Sequence, residues 1–191
     1  MSGTLRVHEI YLSLQGESTF AGLPCVFIRL TGCDLRCSYC DTAYAFTGGE
    51  TLTLDSILEQ TTALAEGYPK PPLVELTGGE PLLQKETPVL LAALADRGFT
   101  VLLETSGAHD ISGVDARVHR IVDLKCPSSG ESDRNLPANL HHLRASDEVK
   151  CVIGTHEDYD WAKSELRQLC GKWDGLFSWV SAVGAGQRSD V

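Results

Sequence analysis

The sequence has no long hydrophobic run and no export signal at its N-terminus. No apolar stretch approaches the roughly 20 residues that a membrane-spanning helix needs. The first residues, Met1 to Arg6, lack both the basic start and the apolar core of a secretory signal. We therefore expect a protein that works in the cytoplasm without a membrane.

Positive charge is also scarce. The 191 residues carry 16 Lys and Arg against 26 Asp and Glu, which gives a formal net charge of −10. Such a chain has no broad electrostatic attraction to nucleic acid backbones, so we predict no nucleic acid partner. An anionic substrate would need a local cationic pocket, and Arg29, Arg36 and Lys125 lie close to the motifs described below.

The chain also lacks internal repeats, low-complexity tracts and long Gly/Ser linkers. Its length is that of one large domain, and a hydrophobic content of 42% is ordinary for a globular protein. We predict a single domain over residues 1–191.

Short apolar runs bounded by Gly or Pro alternate with helical periods along the chain. The apolar runs predict six strands, at residues 25–30, 73–77, 100–105, 120–125, 148–153 and 176–183. One helix is predicted after an N-cap at Thr53, a second from an N-cap at Thr87 to Gly98, and a third from near Thr155 to Gly171. The alternation predicts an α/β fold whose mostly parallel sheet binds ligands beyond the carboxyl ends of its strands.

Three of the seven cysteines stand in a C-x3-C-x2-C motif, which lets one short loop present three thiolates to a single metal centre: Cys33, Cys37 and Cys40. Soft thiolates suit zinc or an iron–sulfur cluster, and three ligands leave one coordination position open. The other cysteines are too widely spaced for a second cluster, and we interpret them as buried core thiols: Cys25, Cys126, Cys151 and Cys170.

Other polar or glycine motifs also follow predicted strands. Gly78 and Gly79 come after the strand at 73–77, Ser106 follows the next strand, and Lys125 ends the one after that. Glycine lets the backbone approach a ligand closely. We expect these motifs to meet the cysteine loop at one edge of the sheet.

A zinc-binding module is one alternative for the thiols, completed by a distant histidine such as His8 or His109. A structural zinc site usually has a second ligand pair at short spacing, and no histidine here lies beside another cysteine pair. The open fourth position is better explained as a place for a substrate or cofactor.

The cysteine motif followed by Thr77-Gly78-Gly79-Glu80-Pro81 resembles the radical S-adenosylmethionine enzymes. The resemblance implies an incomplete (β/α) barrel with its ligands at the C-terminal edge of the strands. It implies that the three cysteines hold a [4Fe-4S] cluster whose fourth iron binds S-adenosylmethionine. It also places ten residues near that cofactor: Tyr39, Cys40, Asp41, Gly78, Gly79, Glu80, Ser106, Asp123, Leu124 and Lys125.

Further segments resemble the 7-carboxy-7-deazaguanine synthase family. The likeness covers about residues 5–180 and rests on five segments: Leu12 to Ser18 with its Leu-Gln-Gly-Glu run, and residues 26–33, 40–42, 104–107 and 122–127. It implies a magnesium ligand at Thr42. It also implies contacts with a carboxylated tetrahydropterin substrate from Leu14, Gln15, Gly16, Glu17, Arg29, Thr77 and Glu104.

This resemblance implies a carbon–nitrogen lyase of queuosine and 7-deazapurine biosynthesis. The reaction contracts 6-carboxy-5,6,7,8-tetrahydropterin to 7-carboxy-7-deazaguanine with loss of ammonia. The residue types suit it, because Gln15, Glu17 and Glu104 can pair with a pterin edge and Arg29 can fork onto a carboxylate. A homodimer and an electron donor such as flavodoxin or ferredoxin are implied as well.

Other interpretations stay open at this stage. A glycyl-radical-enzyme activase would share the cysteine loop and the Gly-Gly turn, although the Leu-Gln-Gly-Glu run favours a small-molecule substrate. Taken alone, Arg29 and Lys125 also fit plain salt bridges, Glu104 a solvated strand end and Thr42 a turn. Residues 181–191 form a tail atypical of the family, with no histidine after His156. From this tail we expect weakened substrate binding with the cluster site intact.

Overall fold

A computed structural model describes residues 2–169 and 173–181. Within those residues the chain forms eight strands and three α-helices. The strands are β1 (Thr4–Leu14), β2 (Pro24–Leu30), β3 (Glu50–Thr53), β4 (Leu73–Gly78), β5 (Val101–Thr105), β6 (His119–Leu124), β7 (Glu148–Ile153) and β8 (Leu176–Ser181). The helices are α1 (Leu54–Leu64), α2 (Thr87–Asp96) and α3 (His156–Leu169).

The strands form one sheet in the order β3-β1-β2-β4-β5-β6-β7-β8. The strands from β2 onward along this order are parallel, whereas β1 pairs antiparallel with both β2 and β3. Within residues 2–169 and 173–181 the end strands β3 and β8 do not pair, so the barrel is open. The predicted fold class, a mostly parallel α/β sheet in an incomplete barrel with three helices, is confirmed.

The predicted number of six strands was wrong, because β1 and β3 were missed. Of the eleven residues of β1 only Leu5 and Val7 are buried, so the alternation of apolar and polar residues that predicts a strand is too short to recognise. In β3 no residue is fully buried. Both strands are held in place by antiparallel pairing at the edge of the sheet, and a local hydrophobic pattern does not record such pairing.

The helix starts follow the expected capping chemistry with one exception. The Ser56 backbone N–H donates to Thr53 Oγ1 at 3.1 Å, as predicted for α1. At α3 the Asp158 N–H donates to Thr155 Oγ1 at 3.1 Å. The predicted N-cap of α2 at Thr87 was wrong, since the buried Thr87 hydroxyl donates to the Pro81 carbonyl at 2.6 Å and the residue already belongs to the helix.

Alternate residues of the parallel strands face opposite sides of the sheet. On β2, Val26 and Ile28 pack in the main core with α1 and α2. Phe27 and Arg29 face the other side, which we call the inner face, where they line a cavity. The same alternation on β4 turns Glu75 to the inner face. Polar side chains are therefore gathered on one side of a sheet whose other side is apolar.

Three cysteines outside the motif are buried thiols, as predicted: Cys25, Cys126 and Cys151. Burial raises the pKa of Cys25 to about 12, so this thiol stays protonated. The predictions for Cys170, for the helix end at Gly171 and for the tail beyond residue 181 lie outside the described residues. No described helix is long and apolar enough to span a bilayer.

Candidate functional site

A cavity of about 790 Å³ opens on the inner face of the sheet. Its wall combines the cysteine loop, the Gly-Gly turn, the C-terminal ends of β4, β5 and β6, and the middle of β7. Most of the residues singled out in the sequence line it: Gln15, Gly16, Glu17, Arg29, Cys33, Cys37, Tyr39, Cys40, Asp41, Thr42, Thr77, Gly78, Gly79, Glu104, Ser106, Asp123 and Lys125. The expected convergence of motifs at one edge of the sheet is present.

Three predicted site residues do not line this cavity. Leu14 ends β1 with 62% of its surface exposed. Leu124 packs in a core cluster with Cys126 and Cys151. Glu80 is fully buried beneath the wall. The roles predicted for these three residues stay predictions.

The cysteine loop is fixed by backbone bonds on both of its sides. Gly32 N–H donates to the Ala45 carbonyl at 2.9 Å, and Ser38 N–H donates to the Ser129 carbonyl at 2.9 Å. Between them, Leu35 buries its side chain almost completely. These anchors hold the loop against the segment that follows β6, so the thiols stay at the cavity wall.

The thiols of Cys33, Cys37 and Cys40 are free and share the cavity wall. Burial raises the pKa of Cys33 and of Cys37, so metal binding at these thiols would release protons. Among the described residues, no group of three or more Cys, His, Asp or Glu side chains converges closely enough to hold a single metal ion. The donor set, three soft thiolates in one cavity with room beside them, is that of an iron–sulfur cluster.

The Gly-Gly turn packs directly on the start of the cysteine loop. Gly79 N–H donates to the Leu30 carbonyl at 3.2 Å, and Glu80 N–H donates to the Gly32 carbonyl at 2.9 Å. A Cβ atom on Gly79 would stand 2.0 Å from the Gly32 oxygen and 2.8 Å from the Cys33 Cβ. Gly78 has a φ of +135°. Only glycine fits both positions.

Glu80 links this turn to the end of β5. Its carboxylate accepts hydrogen bonds from the Leu82 N–H at 2.8 Å and from the Thr105 hydroxyl at 2.9 Å. It also accepts from the Ser106 N–H at 2.7 Å and from the Ser106 hydroxyl at 2.6 Å. A fully satisfied buried carboxylate therefore fixes Ser106 beside Gly79.

Two buried polar atoms beside the thiols have no hydrogen-bond partner in the part of the chain that the structure describes: Tyr39 Oη and Asp123 Oδ1. Lys125 Nζ donates to the other Asp123 oxygen at 2.9 Å. Burial lowers the pKa of Lys125, but the charge and hydrogen bond of Asp123 together with the charges of Cys37 and Tyr39 outweigh it and leave that pKa above its ordinary value. Buried polar groups are nearly always paired, so these orphaned atoms fit a polar ligand next to the cysteines.

Several residues predicted to bind the pterin already form hydrogen bonds within the protein. Arg29 Nε donates to Glu9 Oε1 at 2.8 Å and Arg29 Nη2 donates to the Tyr11 hydroxyl at 3.1 Å, so the salt bridge left open from the sequence is present. Thr77 Oγ1 donates to Glu104 Oε2 at 3.1 Å. Arg29, Thr77 and Glu104 nonetheless face the cavity together.

Near the cysteines, the Thr42 hydroxyl donates to Asp41 Oδ1 at 2.8 Å. Both residues line the cavity. Their oxygens are therefore available at its wall.

Two charged residues of the cavity were missed in the sequence. Lys150 Nζ donates to Glu17 Oε2 at 2.7 Å and also to Glu104. Glu75 accepts from the Gln15 side-chain amide, and burial, with a smaller contribution from the charge of Glu104, raises the pKa of Glu75 to about 8. The sequence did contain a signal for both residues, because each is a charged residue between apolar ones in a buried strand. Side chains alternate between the two faces of a strand, so such a residue can face the inner side of the sheet.

Comparison with known proteins first defines the class. A family model described as the Radical SAM superfamily matches residues 27–128, which include the cysteine motif and the Gly-Gly turn. The crystal structure of QueE from Escherichia coli has the same fold, with a TM-score of 0.78 over 93% of this chain and 84% of that chain at 24% sequence identity. The domain is a radical S-adenosylmethionine domain.

Two curated relatives narrow the class. The 7-carboxy-7-deazaguanine synthase of Koribacter versatilis is 44% identical over 94% of this chain and 76% of its own length. The 7-carboxy-7-deazaguanine synthase of Chlorobaculum tepidum is 48% identical over 91% of this chain and 79% of its own length. The chain belongs to the 7-carboxy-7-deazaguanine synthase family. The predicted [4Fe-4S] cluster and S-adenosylmethionine follow from membership of the superfamily.

Proposed function

We propose that the chain is a 7-carboxy-7-deazaguanine synthase, a radical S-adenosylmethionine carbon–nitrogen lyase. It would convert 6-carboxy-5,6,7,8-tetrahydropterin to 7-carboxy-7-deazaguanine and ammonia, on the route to queuosine and other 7-deazapurines. One observation carries this proposal. A single cavity holds three free thiols and, on its other walls, the amide, guanidinium and carboxylates that suit a carboxylated pterin.

The cofactor half of the cavity is built around Cys33, Cys37 and Cys40, which would hold the cluster. With S-adenosylmethionine bound, the cluster supplies the radical chemistry that removes hydrogen from pterin C6. The chain's own contribution is to bind and orient. Gly79 exposes backbone at the wall, while Tyr39 and Asp123 offer the unpaired atoms Oη and Oδ1.

The substrate half supplies groups complementary to a pterin acid. Arg29 brings a cation to the wall for the carboxylate, which favours charge-assisted hydrogen bonds. Gln15 can both donate and accept, while the carboxylates of Glu17 and Glu104 accept from ring N–H groups. The bond from Thr77 fixes one oxygen of Glu104. A ring held at both ends in this way presents one C–H bond to the cofactor half.

Magnesium is part of the proposal. The Thr42 hydroxyl and the Asp41 carboxylate lie together at the wall, and Mg²⁺ prefers oxygen ligands while keeping part of its water shell. Thr42 would hold such an ion, which would supply positive charge for the substrate carboxylate. Four further predictions accompany it: an electron donor such as flavodoxin or ferredoxin, a homodimer, a cytoplasmic setting and a single domain.

Product analysis tests the function. The protein, reconstituted without oxygen and supplied with reductant, S-adenosylmethionine and Mg²⁺, is expected to convert 6-carboxytetrahydropterin to a product with the mass of 7-carboxy-7-deazaguanine. A chelator of Mg²⁺ should lower this conversion. A glycyl-radical-enzyme activase would instead leave the pterin unchanged and generate a protein radical in a partner. Cleavage of S-adenosylmethionine with no deazaguanine would contradict the proposal.

A further inference from the structure

The segment that joins β1 to β2, residues 15–23, crosses the inner face of the sheet; we call it the floor segment. It leads to the start of β2, so it lies toward the N-terminal edge of the parallel strands. β2 and β7 are separated in the sheet by β4, β5 and β6. The floor segment nevertheless contacts β7, and three of its residues line the cavity: Gln15, Gly16 and Glu17.

Two residue pairs fasten the floor segment to β7: Thr19 with Glu148, and Glu17 with Lys150. Thr19 N–H donates to Glu148 Oε1 at 3.1 Å, and the Thr19 hydroxyl donates to the same carboxylate. Lys150, two residues further along the same face of β7, donates to Glu17 at 2.7 Å. Only the Glu17–Lys150 pair belongs to the cavity wall, because Glu17 and Lys150 line it and Thr19 and Glu148 do not.

Lys150 is the cation at the centre of these carboxylates. Its side chain is 8% exposed. Besides Glu17 it contacts Glu104, which belongs to β5, and it lies 3.8 Å from Asp123 Oδ2. A buried cation that bridges two elements of the wall fixes the positions of both carboxylates. Its removal would leave Glu104, whose side chain is 26% exposed, without its cation, and would release Glu17, which is 44% exposed, from β7.

We propose that Lys150 is a positioning residue of the pterin cavity: its ammonium group holds Glu17 and Glu104 in place and balances their charge, so that the cavity accepts an anionic pterin. The identity of the ligand rests on the proposed function. The role of Lys150 rests on its own contacts, which join the floor segment to the far wall.

The charge balance gives this role a pH signature. The charged and hydrogen-bonding groups that share the cavity wall with Glu104 are Glu17 of the floor segment, Glu75 and Thr77 of β4, Asp123 of β6, Lys125 directly after β6, and Lys150 of β7. Burial raises the pKa of Glu104, but the charge and hydrogen bond of Lys150, with smaller contributions from the Thr77 hydrogen bond and the charge of Lys125, together hold the pKa below its ordinary value. Without the ammonium, Glu104 would take up a proton at higher pH. The acidic limb of pterin binding should then move to higher pH.

Three variants of the cluster-loaded protein separate the effect of the Lys150 charge from the effect of attaching the floor segment to β7. Lys150→Met removes the ammonium, Lys150→Arg keeps a cation, and Thr19→Val removes the other fastening of the same segment. Lys163→Met, on the exposed face of α3, is the matched control for the loss of one lysine.

Loss of the cation should weaken pterin binding. We expect Lys150→Met to raise the KM for the pterin about 10- to 100-fold, by analogy with the loss of a residue that orients a metal ligand. The acidic limb of pterin binding by this variant should move to higher pH. Lys150→Arg should recover most of the affinity. Thr19→Val should speed hydrogen exchange in residues 15–23 with little change in KM, and Lys163→Met should match the parent.

The readouts keep this proposal separate from the function. Pterin affinity and its pH dependence are measured by equilibrium dialysis as well as by turnover. A parent protein that binds the pterin without converting it would contradict the proposed function, and its variants would still test Lys150. A parent protein that binds no pterin would contradict both the proposed function and the role of Lys150. The role of Lys150 would be overturned if Lys150→Met kept the parental pterin affinity and pH dependence. It would also be overturned if Lys150→Arg bound the pterin no better than Lys150→Met, or if Thr19→Val weakened pterin binding as much as Lys150→Met. If Lys150→Met does not fold, uncharged Lys150→Gln makes the same comparison.

Discussion

Cys37→Ala is expected to strip the iron and sulfide from the protein and to lower product formation more than about 100-fold, beyond the cost of removing an outer-shell partner of a metal site. The reason is that three thiols share one cavity wall and each would bind a different iron of the cluster. Alanine at one position leaves two thiolates and a position open to solvent. Iron and sulfide counting on protein reconstituted without oxygen, together with its visible spectrum, measures the loss.

Cys25→Ala is the matched control for this loss of a thiol. Cys25 is fully buried, packs with Phe27, Leu73 and Leu102, and does not itself line the cavity. This variant should keep its iron and sulfide at the cost of a small loss of stability. Two results would contradict the assignment: a Cys37→Ala protein with full iron and sulfide, or a parent protein that binds zinc and no sulfide.

Gly79→Ala should produce the second large effect, through the backbone rather than through a ligand. The added Cβ would stand 2.0 Å from the Gly32 carbonyl oxygen, which is backbone and cannot rotate away. The Gly-Gly turn and the start of the cysteine loop must therefore separate. Overpacking of this kind costs about 1–3 kcal/mol, and each kcal/mol lowers Tm by about 2–4 °C in a protein of this size. We expect a lower Tm together with a fall in iron content.

Gly113→Ala tests whether the effect belongs to the turn. A Cβ on Gly113 would meet nothing within 4 Å, and its φ is not positive. This variant should keep the parental Tm and iron content. Calorimetry and iron counting on both variants make the comparison. A Gly79→Ala protein with parental values would show that the turn does not set the position of the cysteine loop.

The cofactor half of the site was readable from the sequence because its signals are local. The spacing of Cys33, Cys37 and Cys40 lies within one loop, and Gly79 directly follows a recognisable strand. Parallel strands bring their carboxyl ends to one edge, so the topology alone predicts that these motifs meet. The roles of the individual residues in binding cofactor and substrate stay predictions.

The charged interior of the substrate half was not readable in the same way. Lys150 is 133 residues from Glu17 and 46 residues from Glu104, and the strand pattern gives no partner for it. Glu75 lies inside an apolar strand, where alternation alone could have shown that it faces inward. The contact of the floor segment with β7 depends on the curvature of the whole sheet, which no local pattern records.

The most direct test of the central claim, that one cavity serves both the cluster and the pterin, follows a hydrogen atom. The reconstituted protein is given S-adenosylmethionine and 6-carboxytetrahydropterin that carries deuterium at C6, and the recovered S-adenosylmethionine is analysed by mass spectrometry. The account predicts deuterium in that S-adenosylmethionine, because its adenosyl carbon would receive the deuterium from C6, give one of its other hydrogens back to the rearranged pterin, and be rebuilt into S-adenosylmethionine within the same cavity. Formation of 7-carboxy-7-deazaguanine with no deuterium in S-adenosylmethionine would contradict it.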